Sequence, residues 1–409
     1  MDYGKLAEAR LSEIAGMSAT GPGVTRLPWT AEHRRAIGHI TSWMQDAGLD
    51  VSLDAAGTLI GRTPGMAGRP ALLLGSHQDS VRSGGRFDGI MGVAVACLAV
   101  RRLADEGVQL PFAVEVLAFA DEEGVRFPTA LIGPRALAGS FDPTVLEMRD
   151  AEGVSMGQAM EGFGLDPGQI PALARRQQDV VGYLEAHIEQ GPVLEAADRS
   201  LGVVTAICGI SRHSVTFEGE TGHAGTVPME GRRDALVAAA RFIAAVSDAA
   251  AGLEECRATV GKIEAKPGVV NAIPSRVDLT LELRAPTDDM RLAFHAKAQR
   301  LGDEIAAESG VSVTLSQTYE QPAVACAPGI KAALTKGMTA SQLPLTSLPS
   351  GATHDASAMA DLCPVGMLFV RCKGGISHRP DEHASADDMG DAIRVLAETI
   401  KVLASKEHG

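Results

Sequence analysis

Several things are scarce in this 409-residue chain, and each scarcity removes a class of function. Aromatic side chains make up only 4% of it, too few for a surface that stacks nucleic-acid bases. Basic residues are in deficit, with 37 Lys and Arg against 51 Asp and Glu and a formal net charge of −14. That balance disfavours nucleic acid and anionic membranes as partners, because both reward clustered Lys and Arg. It leaves the substrate open, since a cationic pocket can sit inside an acidic protein. The six cysteines (Cys97, Cys208, Cys256, Cys326, Cys363, Cys372) are scattered, with no Cys-x-x-Cys pair and no disulfide-like framework. No uncharged apolar stretch reaches the roughly 18 residues of a membrane span. The opening MDYGKLAEARLSEIAGM is charged and amphipathic, without an apolar signal region, so a cytoplasmic location is expected. There is no G-x-S-x-G nucleophile elbow, which removes a serine hydrolase of that type.

What is present is enough for two domains, since the length exceeds what one core usually holds. Helical spacing covers 4–16 and 30–47, with Thr30 as the N-cap of the second. ALLLGSH (71–77) and FAVEVLAFADEE (112–123) are short apolar runs that end in polar residues. YLEAHIEQ (183–190) and VGMLFVR (365–371) read as two more strands. Between the first two lies the small-residue helix of 89–107, closed by Gly107. Buried strands separated by helices predict a parallel sheet, whose ligands sit beyond the carboxyl ends of the strands. His77, Asp121, Glu122, Glu123, His187 and Glu189 fall at or near those ends. A different rhythm fills 210–320: strand 213–220, helix 232–250, strands 257–265 and 276–285, helix 288–308 and strand 311–317. This β-α-β-β-α-β order is the ferredoxin-like split unit, inserted into the larger domain. The predicted fold is therefore α/β with two domains. One is a catalytic sheet domain (1–209 and 321–409) and the other an inserted α+β domain (210–320).

The residues with the most chemistry lie in separate segments: His77 and Asp79 in GSHQDSV, Asp88 in GGRFDG, Glu122 and Glu123 in FADEEG, His187 in HIEQGP and His378 in ISHRPDE. Taken singly each has an ordinary explanation: a structural histidine, a solvated acidic turn, an Asp among turn-forming glycines. Taken together they form the imidazole and carboxylate donor set of a hydrolytic zinc or manganese site. Acids at buried strand ends also call for a compensating cation. A dication explains why AVEVLAFA should end in three consecutive acids.

The segments GSHQDSVRSGGRFDG, FADEEGVRF, HIEQGPVLE, GHAGTVPM, NAIPSR, SGATHDA and ISHRPDE, in this order between about 70 and 385, resemble the zinc aminoacylase/carboxypeptidase superfamily. The branch resembled contains N-carbamoyl-L-amino-acid hydrolases, allantoate and ureidoglycolate amidohydrolases and bacterial β-ureidopropionases. The resemblance implies two divalent metal ions per subunit, zinc or manganese, with cobalt or nickel also compatible. It implies Asp88 as the bridging carboxylate, His77 and His187 completing one metal site, and Glu123 and His378 the other. Glu122 would be the general base, and Asp79 would orient the His77 ring. It also implies that the inserted domain is a lid that dimerises. From there His223 would stabilise the oxyanion in the neighbouring subunit's site. Arg284, assisted by Asn271, would clamp the substrate carboxylate. Gln190 would hydrogen-bond the ureido group, and Ser350, Gly351 and Ala352 would line the pocket.

Two positions depart from the pattern: Thr353 replaces a glycine of the S-G-A-G-H-D-A loop, and Gln78 follows His77. Both bear on which acid is the substrate. His383 is a rival to His378 as a ligand, and His378 fits S-H-x-P-x-E better. His354 and Asp355 are expected behind the ligands. Aminoacylases and dipeptidases of the superfamily are the alternative reading. They usually carry an acidic ligand at the position of His187. A metal-binding protein without catalysis would need the ligands but not Glu122.

Overall fold

The apolar run Ala71–His77 is buried at all seven positions, as is Ala113–Phe119, which suits strands covered on both faces. The structure, a computed structural model, describes residues 1–253 and 255–406. In chain order the strands are β1 (Asp50–Leu53), β2 (Leu59–Arg62), β3 (Ala71–His77), β4 (Ala113–Phe119), β5 (Val180–Ile188), β6 (Leu201–Ile207), β7 (Gly209–Glu218), β8 (Arg257–Thr259), β9 (Ile263–Lys266), β10 (Arg276–Ala285), β11 (Ser312–Gln321), β12 (Val324–Ala325), β13 (Ser347–Ser350) and β14 (Val365–Val370). The chain divides into two units. The first holds Met1–Thr205, Cys326–Leu348 and the chain from Thr353 onward; the second holds Ala206–Ala325 and Pro349–Ala352.

In the first unit β4, β3, β5 and β14 lie side by side in that order, each pair parallel. The carboxyl ends of all four therefore open on one edge of the sheet. Helix Ile90–Asp105 packs on this sheet through Met91, Val93, Val95 and their neighbours. Its Gly92 permits a close approach, since a Cβ there would stand 2.1 Å from the Ala186 carbonyl oxygen. The helices Tyr3–Ile14, Pro328–Ala340 and Ala386–Lys406 contribute to the same core. Thr30 caps helix Ala31–Asp46, its hydroxyl accepting the His33 N–H.

The second unit is an antiparallel sheet in the order β11-β7-β10-β8, with β9 also on β10. Helices Ala235–Ala251 and Asp288–Ser309 cover it, and Phe217, Phe242, Leu281 and Phe294 lie in its core. This is the ferredoxin-like arrangement. One detail differs from expectation: 257–265 is not a single strand. Thr259 pairs with Glu282 and Ile263 with Leu279, so four steps on one strand oppose three on β10. The extra residue makes a bulge in the stretch between Thr259 and Ile263.

Candidate metal centre

Each parallel strand delivers its chemistry at the same edge. His77 is the last residue of β3, His187 the penultimate residue of β5, and Glu122 and Glu123 follow β4. Asp88 precedes helix Ile90–Asp105, and His378 lies in the turn after β14. Their ligand atoms form three close groups: His77, Asp88 and His187; Asp88, Glu123 and His378; and His77, Glu122 and Glu123, each spanning no more than 4.8 Å. Asp88 belongs to the first two. One of its oxygens is 3.2 Å from His187 Nε2 and the other 3.1 Å from His378 Nε2. A carboxylate with one oxygen toward each of two imidazoles has the geometry to bridge two cations.

The rings are oriented by what their second nitrogens meet. His187 Nδ1 is 2.9 Å from the Ile188 carbonyl oxygen, and His77 Nδ1 is 3.1 Å from the Asp79 carbonyl oxygen. Protons on those nitrogens leave both Nε2 lone pairs for a metal. The expected contact of His77 with the Asp79 carboxylate is longer, 3.5 Å. That carboxylate instead accepts the backbone N–H of Glu122 at 3.1 Å and of Glu123 at 3.2 Å. Asp79 thus holds the His77 ring with its backbone and the Glu122–Glu123 turn with its side chain. Gly89 completes the cradle: a Cβ on it would lie 2.3–2.4 Å from three atoms of the His77 ring.

The site is rich in buried acid. Burial pushes the Glu122 carboxyl well above its ordinary range, with His77 pulling the other way. Glu123 is pushed up to about 7 by burial and by Asp88, and Asp121 and Asp355 are raised by burial first. Burial also works against Asp88, but the His187 and His378 rings outweigh it and hold the carboxyl well below its ordinary range. Glu123 Oε1 and both carboxylate oxygens of Asp121 and Asp355 are buried without hydrogen-bond partners. A set of carboxylates left short of positive charge, interleaved with oriented imidazoles, fits hard or borderline divalent ions.

Sequence reasoning missed Glu382. It is 3% exposed. One of its oxygens accepts the N–H groups of Phe87 and Asp88, both at 2.9 Å, and the other accepts Ser377 Oγ–H at 3.2 Å and the His378 N–H at 3.3 Å. It ties the Asp88 turn to the His378 turn. The available signal was its place four residues after His378 in ISHRPDE. Glu189 has a different task from the ligands: its carboxylate accepts the N–H groups of Val193 and Leu194. His383 packs its ring edge against Phe87 rather than joining the ligand groups. His354, expected behind the ligands, forms a further close group of donor atoms with Glu185 and His187, its ring 4.5 Å from that of His187. Gln78 is fully buried, its side chain donating to the Ala118 carbonyl oxygen. It is therefore a core residue of the sheet and does not line a pocket.

Gln190, expected to meet substrate, donates from Nε2 to both Asp88 oxygens, at 3.2 and 3.1 Å, and to Ser377 Oγ at 3.1 Å. The remaining expected binding residues are in the second unit. His223 is exposed and forms a bridge with Ala272, next to Asn271, whose carbonyl accepts the Ala224 N–H. Arg284 is held by Glu282 at 2.8 Å and donates to the Gly351 carbonyl oxygen at 2.6 Å. Ser350 Oγ accepts the Ala352 N–H. Arg284 is thus brought to the 350–352 loop.

The model of peptidase family M20/M25/M40 matches residues 73–402. The chain belongs to this family. Among its relatives, it is 41% identical over the full length of both chains to the N-carbamoyl-L-amino acid amidohydrolase of Geobacillus stearothermophilus. It is 36% identical to the allantoate deiminase of Arabidopsis thaliana, covering 97% of this chain and 81% of that one. Among solved structures it is similar to an amidase of the hydantoinase/carbamoylase family from Burkholderia multivorans, at 33% identity and a TM-score of 0.90 over 98% of both chains. The α/β fold described above, with its ferredoxin-like second unit, accords with membership of this family. Among the described residues no helix is long and apolar enough to cross a membrane.

Proposed function

We propose that the chain is a two-metal amidohydrolase that cleaves the ureido C–N bond of an N-carbamoyl amino acid or a related ureido acid. The observation that carries this reading is Asp88, with one oxygen toward His187 and the other toward His378 and Glu122 and Glu123 alongside. Full-length likeness to an N-carbamoyl-L-amino acid amidohydrolase supports the substrate class. His77, Asp88 and His187 would hold one divalent ion, and Asp88, Glu123 and His378 the other. Zinc and manganese suit these donors best, with cobalt and nickel also compatible. When bound, the pair of ions would acidify a water and polarise the carbonyl.

The protein's own part follows from its side chains. Glu122, raised in pKa and close to His77, takes the proton of the attacking water and passes it to the departing nitrogen. Water adds to the ureido carbon, one C–N bond breaks, and the nitrogen leaves with that proton. The carbamic acid product then breaks down, so that ammonia, carbon dioxide and the free amine are released in total. Arg284, a planar fork anchored by Glu282, binds the substrate carboxylate. Asn271 would assist Arg284, Gln190 would hydrogen-bond the ureido group, and Ser350–Ala352 would offer backbone groups to the substrate. The protein acts as a homodimer whose inserted unit supplies His223 as oxyanion donor to the neighbouring subunit's site.

The test is ammonia release by metal-reconstituted protein from N-carbamoyl-L-amino acids, N-carbamoyl-β-alanine, allantoate and ureidoglycolate. Metal-dependent turnover of one of them supports the reading and names the acid. Inactivity on all of them, with release of amine from N-acyl amino acids, would place the chain with the aminoacylases.

A further inference from the structure

The segment Gly23–Trp29 precedes the stretch matched by the family model and carries none of the motifs above. It is nevertheless laced to the metal loops. Val24 and Gly84 exchange both backbone hydrogen bonds, at 3.0 and 2.8 Å. Ser80 donates its N–H to the Arg26 carbonyl at 3.1 Å, and Arg26 donates its own N–H to Ser80 Oγ at 3.0 Å. Ser83 N–H reaches Thr25 Oγ1 at 2.8 Å. The segment therefore runs along Ser80–Gly84, the loop joining His77 and Asp79 to Asp88. Further on, the Pro28 and Trp29 carbonyls accept Arg126 Nη1–H at 2.7 and 3.1 Å, three residues beyond Glu123. At its other end, a Cβ on Gly23 would lie 2.9 Å from the side chain of Pro380, two residues beyond His378.

Arg26 is the anchor of this strap. It is 2% exposed. Its Nε donates to the Gln78 carbonyl at 2.6 Å, and its Nη1 to the carbonyls of Ile14 at 3.1 Å and Met17 at 3.3 Å. Gln78 sits between His77 and Asp79, so the guanidinium grips the peptide that carries a ligand on one side and its orienting residue on the other. Gln78 is also pinned through its N–H to the Phe119 carbonyl and through its side chain to the Ala118 carbonyl. Burial lowers the Arg26 pKa to about 10, with Asp79 opposing the change, so it remains a cation at neutral pH. A fully buried cation with carbonyl partners at Gln78 on one side and at Ile14 and Met17 on the other is a costly way to tie these segments together unless their relative position matters.

We propose that Arg26 and the Gly23–Trp29 strap are a positioning device for the metal centre: Arg26 fixes the His77–Asp79 peptide, and the strap sets its distance from Asp88. Arg26 is a positioning residue, acting through Gln78 and Ser80 and touching no ligand atom. The inference rests on the reading that His77 and Asp88 hold metal.

The experiment measures Zn²⁺ binding to chelator-stripped protein, by competition with a chromophoric chelator, in the parent, Arg26→Met, Arg26→Lys and Thr25→Val. Removing groups that orient metal ligands typically weakens binding by about 10- to 100-fold. Arg26→Met is expected in that range. Arg26→Lys, which keeps the charge but loses the fork, should fall between it and the parent. Thr25→Val removes only the Ser83 acceptor and should weaken binding by a few-fold. It also serves if Arg26→Met does not fold. A role in stability alone would lower the melting temperature and leave Zn²⁺ affinity where it was. If the parent binds Zn²⁺ and every folded variant binds it equally well, this inference is overturned and the metal centre stands. If the parent binds no Zn²⁺, both fall together.

Discussion

Gly89→Ala tests how closely the backbone is fitted around the His77 ring. Gly89 has φ = 65° and a Cβ there would lie 2.3 Å from His77 Cε1 and 2.4 Å from each ring nitrogen. Comfortable carbon contacts begin near 3.5 Å, so the ring has to retreat by about 1 Å. It has little room to do so, because Nδ1 is held by the Asp79 carbonyl and the His187 ring lies 5.7 Å away, centre to centre. Its backbone, at φ 65° and ψ −62°, is one that residues with a Cβ rarely adopt, which adds about 1–3 kcal/mol. A 1 Å misplacement of a group at a reaction centre costs about 100-fold in rate, and a disturbed ligand costs about 10- to 100-fold in metal affinity. The variant should therefore fold, by circular dichroism, yet lose metal on gel filtration and lose about 100-fold or more in kcat/KM at standard metal concentration. A folded Gly89→Ala protein with parental metal content and kcat/KM would refute the placement of His77 at the centre.

Other consequences are as direct. Glu122→Gln should reduce kcat by about 100- to 10,000-fold with metal content unchanged; turnover near the parental rate would remove Glu122 as the base. Arg284→Ala, which loses the contacts to Glu282 and Gly351, should act mainly on KM, and an unchanged KM would take Arg284 out of the pocket. If His223 serves the neighbouring subunit, refolding inactive Glu122→Gln with inactive His223→Ala should restore up to about a quarter of parental activity, because half the dimers are mixed and each has one intact site; no recovery would place His223 elsewhere. Metal-free protein should become less stable as pH rises. Burial lifts Glu123 and Glu382 to about 7 from 4.5, so over that window the folded chain keeps protons the unfolded chain has released. The His378 ring, lifted to about 9 by its bond to Asp88, adds stability below its ordinary 6.5 that is lost as pH rises through 9. A stripped protein that melts higher at about pH 8 than at about pH 5 would contradict this.

The parallel sheet was legible because β3, β4, β5 and β14 are short, mostly apolar runs, interrupted only by Glu115 in β4 and Glu185 in β5 before polar residues close them, a pattern that suits burial on both faces. The gathering of His77, Glu122, Glu123 and His187 was legible because strand ends concentrate chemistry at one edge. Less visible were elements whose cause lies outside their own sequence. The hairpin β1–β2 has strands of only four residues, joined by a turn in which the Asp54 carboxylate accepts the N–H groups of Ala56 and Thr58. The break between β8 and β9 follows from pairing to β10. Glu382 was visible only as the last residue of S-H-x-P-x-E, and its task appeared when the fold placed it between the Asp88 and His378 turns. Gln78 looked like a specificity residue because it neighbours His77, but alternation along the extended chain turns it to the opposite side, into the core. Arg26 carried no motif signal, because its partners are backbone carbonyls that only the fold brings together.

The most direct test of the central claim is a paired assay on one amino acid. Its N-carbamoyl and N-acetyl derivatives would be given to the same preparation, stripped with chelator and then reloaded with zinc or manganese. A two-metal amidohydrolase gives no turnover after stripping, recovery on reloading, and clear preference for the N-carbamoyl compound with one ammonia released per amine. Turnover that survives complete removal of metal, or a preference for the N-acetyl compound, would contradict it.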